Sequence, residues 1–316
     1  MMRVFVYEYL SGGGLVDGDP AATAVLMPQG LAMRDALVAD LLASGDCDVT
    51  AATCVCAGPL PAGASEALAH DGEMPEDFAA RMAAGHDAAW IVAPETGGCL
   101  AAFERAIGAP RWLGCDARSI AIGASKSATL RHLAAHELPT PWRHQALATR
   151  WVVKPDDGAG SVDTHLHADR AAAQADLAGR HARGVSACLE PWVDGEALSI
   201  SLLCELGQAE LLGVNRQRIV TLDDGSLRYD GVAIDVWPRR EPRRRTLATL
   251  ASRIAAALPG LRGFVGVDLV WHPAHGPVVI EINPRLTCAY VGLSQRLGRN
   301  LAAEVLGLQR LERIDA

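Results

Sequence analysis

Apolar and polar positions alternate over residues 3–9 as in a first strand, and short apolar-rich runs over 49–56 and 87–93 read as two further strands. Such alternation predicts β-strands, while the apolar spacing of 29–44 and 75–84 predicts helices between them. The chain therefore opens as strand, helix, strand, helix, strand, the order of an open α/β unit. Residues 111–114 predict one more short strand and 116–135 a helix. Beyond the two-proline connector Glu137-Leu-Pro-Thr-Pro-Trp142 the order changes: strand 151–154, an Ala-rich helix 168–183, and strand 187–193. Pro191 inside that last strand makes it an edge or a hinge. A further sheet is predicted from 198–204 and 210–215, then a helix over 247–258 and an amphipathic helix over 293–306. The expected divisions are an α/β unit at 1–114 and two α+β units at 115–190 and 191–316.

The most informative stretch lies between those last two helices. Residues 264–271 (FVGVDLVW) and 278–287 (VVIEINPRLT) flank a Pro/Gly loop and predict a hairpin. With the loop at 273–276, residue 272 faces 277, and the antiparallel ladder sets Asp268 opposite Glu281 and Gly266 opposite Asn283. Val265, Val267, Leu269, Val278, Ile280 and Ile282 mark the core face, so Asp268, Glu281 and Asn283 share the other. Opposed like charges weaken a sheet. Two carboxylates beside an amide oxygen therefore point to a hard cation, Mg²⁺ being the natural one. The plainer alternative is three solvated residues on an open face.

Composition narrows the function class. At 316 residues, 50% hydrophobic and 21% charged, the chain can bury a large core divided into two or three compact units. A net charge of −8 and a pI near 5.7 argue against nucleic acid as a partner. The one basic run, Arg239-Arg240-Glu-Pro-Arg243-Arg244-Arg245, reads as a solvated loop entering a helix rather than an anion patch. The eight cysteines show no C-x-x-C pair and no His/Cys metal spacing, so neither zinc nor a redox motif is expected, only thiols in a reducing compartment. Glu8 falls where a signal peptide needs apolar residues, and no apolar span approaches the roughly 20 residues of a membrane helix. A cytoplasmic protein without membrane contact is expected.

Ligand-binding candidates cluster at strand ends. Strand 3–9 runs into Ser11-Gly12-Gly13-Gly14, and strand 87–93 into Pro94-Glu95-Thr96-Gly97-Gly98. Open α/β sheets bind ligands at such edges, so Gly12 and Gly13 can offer backbone N–H groups, and Glu8 or Glu95 can hold a substrate amine. The full G-x-G-x-x-G fingerprint is absent, which leaves a dinucleotide site without support. Lys154 ends its strand and enters Pro155-Asp-Asp-Gly158-Ala-Gly160-Ser161, a cation followed by a flexible backbone nest suited to polyphosphate. Arg218, after the strand at 210–215, is a further candidate for phosphate or substrate.

The order of a helix lysine, a strand lysine before a glycine loop, a hinge glutamate, a second glutamate, and an Asp/Glu/Asn triad before an arginine resembles the ATP-grasp superfamily over about residues 115–310. In that superfamily ATP lies between two α+β subdomains and drives formation of an acyl phosphate that an amine attacks. The resemblance implies Lys126 and Lys154 on the nucleotide phosphates, with Gly158, Gly160 and Ser161 capping the β- and γ-phosphates. It implies Glu190 at the adenine amino edge beside Trp192 and Val193, and Glu196 at the ribose. Asp268, Glu281 and Asn283 would hold one or two Mg²⁺ ions, with Mn²⁺ as a substitute, and Arg285 would steady the transferring phosphoryl group. The implied partners are a small-molecule amine and an amino-acid carboxylate; a homodimer stays open. The opening VFVYEYLSGGG, the APETGG turn, Asn215-Arg-Gln217 and EINPRLT look like the subgroup typified by tyramine–L-glutamate ligase of methanofuran and methylofuran synthesis. D-Ala–D-Ala-like ligases and a non-catalytic nucleotide-binding regulator are the alternatives.

Overall fold

The structure is a computed structural model and describes residues 1–16, 18–158 and 160–315, with side chains described up to 308. In chain order its elements are β1 (Met2–Glu8), α1 (Pro20–Ala43), β2 (Cys47–Ala52), β3 (Ser65–Ala67), α2 (Pro75–Ala84), β4 (Ala88–Val92) and α3 (Cys99–Ile107). Then come α4 (Ala117–Gly123), α5 (Lys126–Ala135), β5 (Trp151–Pro155), β6 (His165–His167), α6 (Arg170–Ala182) and β7 (Ala187–Pro191). The C-terminal part holds β8 (Glu196–Glu205), β9 (Gln208–Thr221), β10 (Leu227–Ala233), α7 (Arg243–Ala257), β11 (Gly263–His272), β12 (Gly276–Asn283), α8 (Leu293–Leu297) and α9 (Leu301–Asp315).

The N-terminal sheet has order β3-β2-β1-β4, and its neighbouring strands run parallel. Parallel strands need cover on both faces, and β1 is buried accordingly: Val4, Phe5, Val6 and Tyr7 have no exposure. Phe5 and Tyr7 pack with Phe78 and Phe103 of α2 and α3, whereas Val4 and Val6 pack with Leu37 and Leu41 of α1 and with Leu301 and Val305 of α9. The last helix thus shares this core and packs on α1 and β11. The 111–114 segment adds only a bridge, Ala89 to Trp112.

A three-stranded antiparallel sheet, β6-β5-β7, carries α6 and a small core of Trp151, Val153 and Ala173. So thin a core places this sheet among the parts that open most easily. The C-terminal sheet is antiparallel, β10-β9-β8-β11-β12, with α7 buried against β8 and β9. The α4–α5 pair packs on β12 and α7.

Several elements depart from the sequence pattern. α1 begins nine residues before the expected 29, because Asp19 caps it and Pro20 sits at its first turn, while Pro28 is carried inside. Residues 116–135 form two helices, since Ser125 takes an extended conformation and caps the second through Ala128 N. The C-terminal helix is broken at Gly298, whose φ is 66°. β3, β6 and β10, unread in the sequence, add edge strands.

The hairpin forms as expected at its functional end and differs at its tip. Asp268 faces Glu281 and Gly266 faces Asn283, but His272 faces Gly276 rather than 277. The loop is therefore three residues, and a bulge before Glu281 restores the register. Val279 takes the core position expected of Ile280: Val279 is fully buried and Ile280 half-buried. The cause is an outside partner, Pro139 O, which accepts from Val279 N at 2.9 Å.

Candidate active site

β5 and β7 place a cation and an anion together. Val152 pairs with Glu190, so Lys154 lies diagonally beside Glu190 on the same face. Lys154 Nζ stands 2.9 Å from Glu190 Oε1, and both side chains are buried. Burial is the largest influence and works against the ammonium, but Glu190, Cys188 and Glu281 together outweigh it and raise the Lys154 pKa.

Lys126 reaches the same cleft from the first turn of α5. The end of β5 holds that turn: Asp156 O accepts from Lys126 N (2.8 Å), and its carboxylate accepts from Ser127 N (2.8 Å) and Ser125 Oγ (2.5 Å). Burial opposes the Asp156 charge, and these donors hold its pKa low. Lys126 Nζ then donates to the Gly158 carbonyl and stands 3.5 Å from Glu281 Oε2. Both lysines and the start of the glycine loop thus meet at the hairpin. Gly160 and Ser161 both take left-handed backbone (φ 65° and 62°), which opens the turn; Ala159 lies outside the described residues.

The sheet floor beneath them is polar by design of β8, whose Ser199 and Ser201 are small enough for neighbours to reach across. Asn215 Nδ2 donates to both hydroxyls (3.3 and 3.0 Å), and Gln217 Nε2 crosses β8 to donate to Asp268 Oδ1 at 3.0 Å. Asn283 Nδ2 donates to Asp268 Oδ2 at 3.4 Å, so its oxygen is the atom available to a cation. Burial, then the charge of Glu281, pushes the Asp268 carboxyl up to about 7. A carboxylate that resists ionisation, a second opposite it and an amide oxygen beside them make a hard-oxygen donor set that fits Mg²⁺. Gln217 reaches this cluster; the sequence marked it only within the Asn215-Arg-Gln217 motif and gave it no role, and the signal for its contact was the small-residue face of β8.

Arg285 leaves β12 toward the N-terminal unit. Its Nε and Nη2 each lie 2.9 Å from the Glu95 carboxylate, a two-pronged pair between residues distant in sequence. Glu95 is thereby held by an arginine rather than presented singly. Thr96 Oγ1 and Gly97 N donate to Asp157 (3.0 and 3.2 Å), so the same turn touches the glycine loop. Glu8 is buried beneath, accepting from Ser11 N (2.8 Å) and Leu10 N (3.2 Å), with its pKa raised by burial against those bonds. Gly30 of α1 faces that carboxylate, and a Cβ there would stand 2.6 Å from Glu8 Oε2. Gly12 and Gly13 lie in the adjoining turn, their N–H groups bonded to Glu8 O and Leu10 O.

Two expected residues lie elsewhere. Arg218 is exposed and paired with Asp230 at 2.8 Å, so β9 carries it away from the cluster. Glu196 pairs with Arg216 (2.7 Å) and Arg243 (3.5 Å) at the start of β8. Between them and Glu190 runs the hinge, with Val193 buried and Trp192 Nε1 donating to Asp194 (3.0 Å). Two arginines of the basic run are spent on neighbours: Arg243 stacks on Trp237 and pairs with Glu241, and Arg244 pairs with Asp235. The cysteines are free thiols; Cys47, Cys115 and Cys204 are buried and Cys56 is exposed. No described helix is long and apolar enough to cross a membrane.

A family model described as an ATP-grasp domain matches residues 123–289, and one described as a pre ATP-grasp 3 domain matches residues 51–120. No curated protein matches the sequence. Among solved structures, an ATP-grasp superfamily protein from Archaeoglobus fulgidus is 21% identical, with a TM-score of 0.69 over 97% of this chain and 88% of that one. D-alanine–D-alanine ligase from Bacillus anthracis is 16% identical over all of both chains, with a TM-score of 0.68. L-amino acid ligase from Bacillus licheniformis is 16% identical, with a TM-score of 0.67 over 97% of this chain and 73% of that one. At these identities the likeness shows a shared fold.

Proposed function

The chain belongs to the ATP-grasp family, and on that premise we propose that it is an ATP- and Mg²⁺-dependent ligase that joins a carboxylate to an amine. The observation that carries this reading is the meeting of Lys126 with Glu281, opposite Asp268 on the hairpin, under the lysine and glycine loop of β5. Two buried lysines suit phosphate oxygens as point charges, and the loop from Gly158 through Gly160 and Ser161 covers the β- and γ-phosphates. Both recorded contacts of Glu190 fall on Oε1, which leaves Oε2 for the adenine amino group beside the Trp192–Val193 backbone. Glu196 serves the ribose by exchanging an arginine for hydroxyls.

Asp268, Glu281 and Asn283 would hold Mg²⁺, which when bound would supply charge neutralisation at the phosphates. Lys126, Lys154 and Arg285 surround the transferring group. The substrate carboxylate oxygen attacks the γ-phosphorus and ADP leaves, giving an acyl phosphate. The amine nitrogen then attacks the acyl carbon, loses a proton, and phosphate departs. Arg285 steadies the anionic acyl phosphate, and closure of the thin β5–β7 unit keeps water from it.

Glutamate, through its γ-carboxylate, and tyramine or tyrosine are the substrates we favour, on the N-terminal turns around Glu8 and Glu95 and the Asn215–Gln217 segment. The likeness to D-alanine–D-alanine ligase and L-amino acid ligase over nearly the whole chain supports a second reading, a dipeptide-forming ligase. ADP release measured against a panel of amines and amino acids, with mass spectrometry of the product, separates them. The expected result is release that needs both glutamate and the aromatic amine; an alanine dipeptide selects the second reading. ATP binding without amine-dependent release across the panel would leave a nucleotide-binding regulator.

A further inference from the structure

The tip of the β11–β12 hairpin carries a second constellation. His272 precedes its turn and His275 ends it, and His144, at the end of a 3₁₀ turn over Pro141–His144, faces them. The three ring centroids stand 4.5 to 5.3 Å apart, and one nitrogen of each imidazole lies within 4.8 Å of the others. His144 and His272 are half-buried and His275 is exposed.

We propose that His144, His272 and His275 form a binding site for one divalent transition-metal ion of the zinc class, separate from the cation site at Asp268 and Glu281. Four residue steps along β11 separate Asp268 from His272, about 13 Å at roughly 3.3 Å per step. Imidazole nitrogen is a ligand for zinc, copper and nickel, and a poor one for Mg²⁺. A tetrahedral zinc with Zn–N distances of about 2.0–2.1 Å holds its ligand nitrogens about 3.3 Å apart. The ring nitrogens must therefore draw together by up to about 1.5 Å, within reach of χ rotations of the three side chains. Beside them a cavity of about 70 Å³, lined by His144, Arg150, Trp192, Asp194 and His272, has room for the water that completes four-coordination.

The rings are prepared for a cation. No side-chain hydrogen bond is recorded for His144 or His275 among the described residues. His272 Nδ1 accepts from Ala274 N and His275 N, each at 3.1 Å. A neutral imidazole has one lone pair, so ligation through either nitrogen releases those contacts, and the two amides pass to water on an exposed turn. Burial, then the two neighbouring histidines, lowers the pKa of His144, which favours the neutral form that a metal needs. The bound ion would fasten the hairpin tip to the connector that enters β5, next to the hinge at Trp192. The absence of a metal spacing in the sequence hid this site, because His144 joins the H-x-x-H turn only through the fold.

The test uses the full chain, stripped with chelator, titrated with zinc by calorimetry at pH 7.5 without nucleotide. One equivalent bound at micromolar affinity or tighter is expected, with at least a tenfold loss in H144A and in H275A and a zinc-dependent rise in Tm in the parent only. Cobalt loading should give tetrahedral d–d bands without thiolate charge transfer, which separates the imidazoles from the free cysteines. Since His275 lies on an exposed turn, H275A keeps the experiment decisive if H144A fails to fold. Zinc uptake unchanged in H275A, a thiolate band, or no uptake overturns the proposal. ATP affinity unchanged by zinc removal is expected, so failure here is distinct from failure of the ligase reading.

Discussion

Glu281→Gln is the sharpest perturbation of the cleft, because two opposed effects of its charge can be weighed from the structure. The carboxylate attracts Lys126 at 3.5 Å and repels Asp268 across the ladder. At an effective dielectric of about 20 the attraction is worth about 5 kcal/mol, and repulsion over about 5 Å between facing carboxylates about 3 kcal/mol at a pH near 8, where Asp268 is mostly ionised. The metal-free variant should therefore lose only about 1–2 kcal/mol, since relief at Asp268 offsets most of the broken pair. Cation binding has no such offset. The parent at 100 times its Kd for Mg·ATP gains about 2.7 kcal/mol of stability, and the variant should show little of it. Thermal melts with and without Mg·ATP, read beside ADP release, measure both. Turnover should fall by about a hundredfold or more, equivalent to about 3 kcal/mol of transition-state stabilisation. A variant that keeps turnover within tenfold, or whose metal-free form is destabilised beyond about 4 kcal/mol, would refute the assignment of Glu281 to the cation.

The remaining expectations rest on the neighbouring pairs. Asp268, pushed up to about 7 from 3.8, binds its proton more tightly folded than unfolded. Metal-free stability should then decline as pH rises from about 4 to about 7 and level off above, while Mg²⁺ should flatten that slope; melts across pH with and without EDTA test the sign. Lys154→Met should cost about 3–5 kcal/mol by stranding Glu190, and adding Glu190→Leu should restore most of the stability but not ATP affinity, as calorimetry would show. Recovery of ATP binding in the double variant would count against the phosphate role of Lys154. Arg218→Ala, at an exposed pair, should leave kcat and KM within about twofold and stability within about 1 kcal/mol. A tenfold loss of kcat would return that arginine to the chemistry.

What the sequence made legible depended on whether a residue's partner was local. Asp268 and Glu281 could be paired because a hairpin fixes its own register, β1 could be read because a short apolar run ends in a glycine turn, and α2 because it keeps one helical period. The bulge at Ile280 could not, since its cause is Pro139 O, outside the hairpin. The first turns of α1 escaped because residues 20–29 bear no buried stripe; only Thr23 is buried there. Glu95 and Arg285 each looked like a loop charge awaiting a ligand, and nothing in their spacing announces the pair they make with each other. Gln217 was hidden for the same reason: it reaches Asp268 across an intervening strand.

That difference bears on how the site works. The cations assigned to the ligand stand against carboxylates: Lys154 on Glu190, Lys126 on Glu281, Arg285 on Glu95. Buried charge without a partner is costly, so a cleft built to receive a highly charged nucleotide needs internal partners while it waits. On the proposed assignment, phosphate oxygens would replace the carboxylate beside Lys126, and the released Glu281 would become a cation ligand beside Asp268. One carboxylate would then serve two cations in turn. The exchange also ties metal to nucleotide, because freeing Glu281 from Lys126 favours the metal, and a phosphate on Lys126 favours freeing Glu281. Affinity for Mg²⁺ should accordingly rise when a nucleotide is bound, by the same factor as Mg²⁺ raises nucleotide affinity. Replacing Lys126 with Met should remove most of that mutual factor, and calorimetric titration of Mg²⁺ with and without a non-hydrolysable ATP analogue measures it. A coupling that survives in Lys126→Met would place the link elsewhere in the cleft.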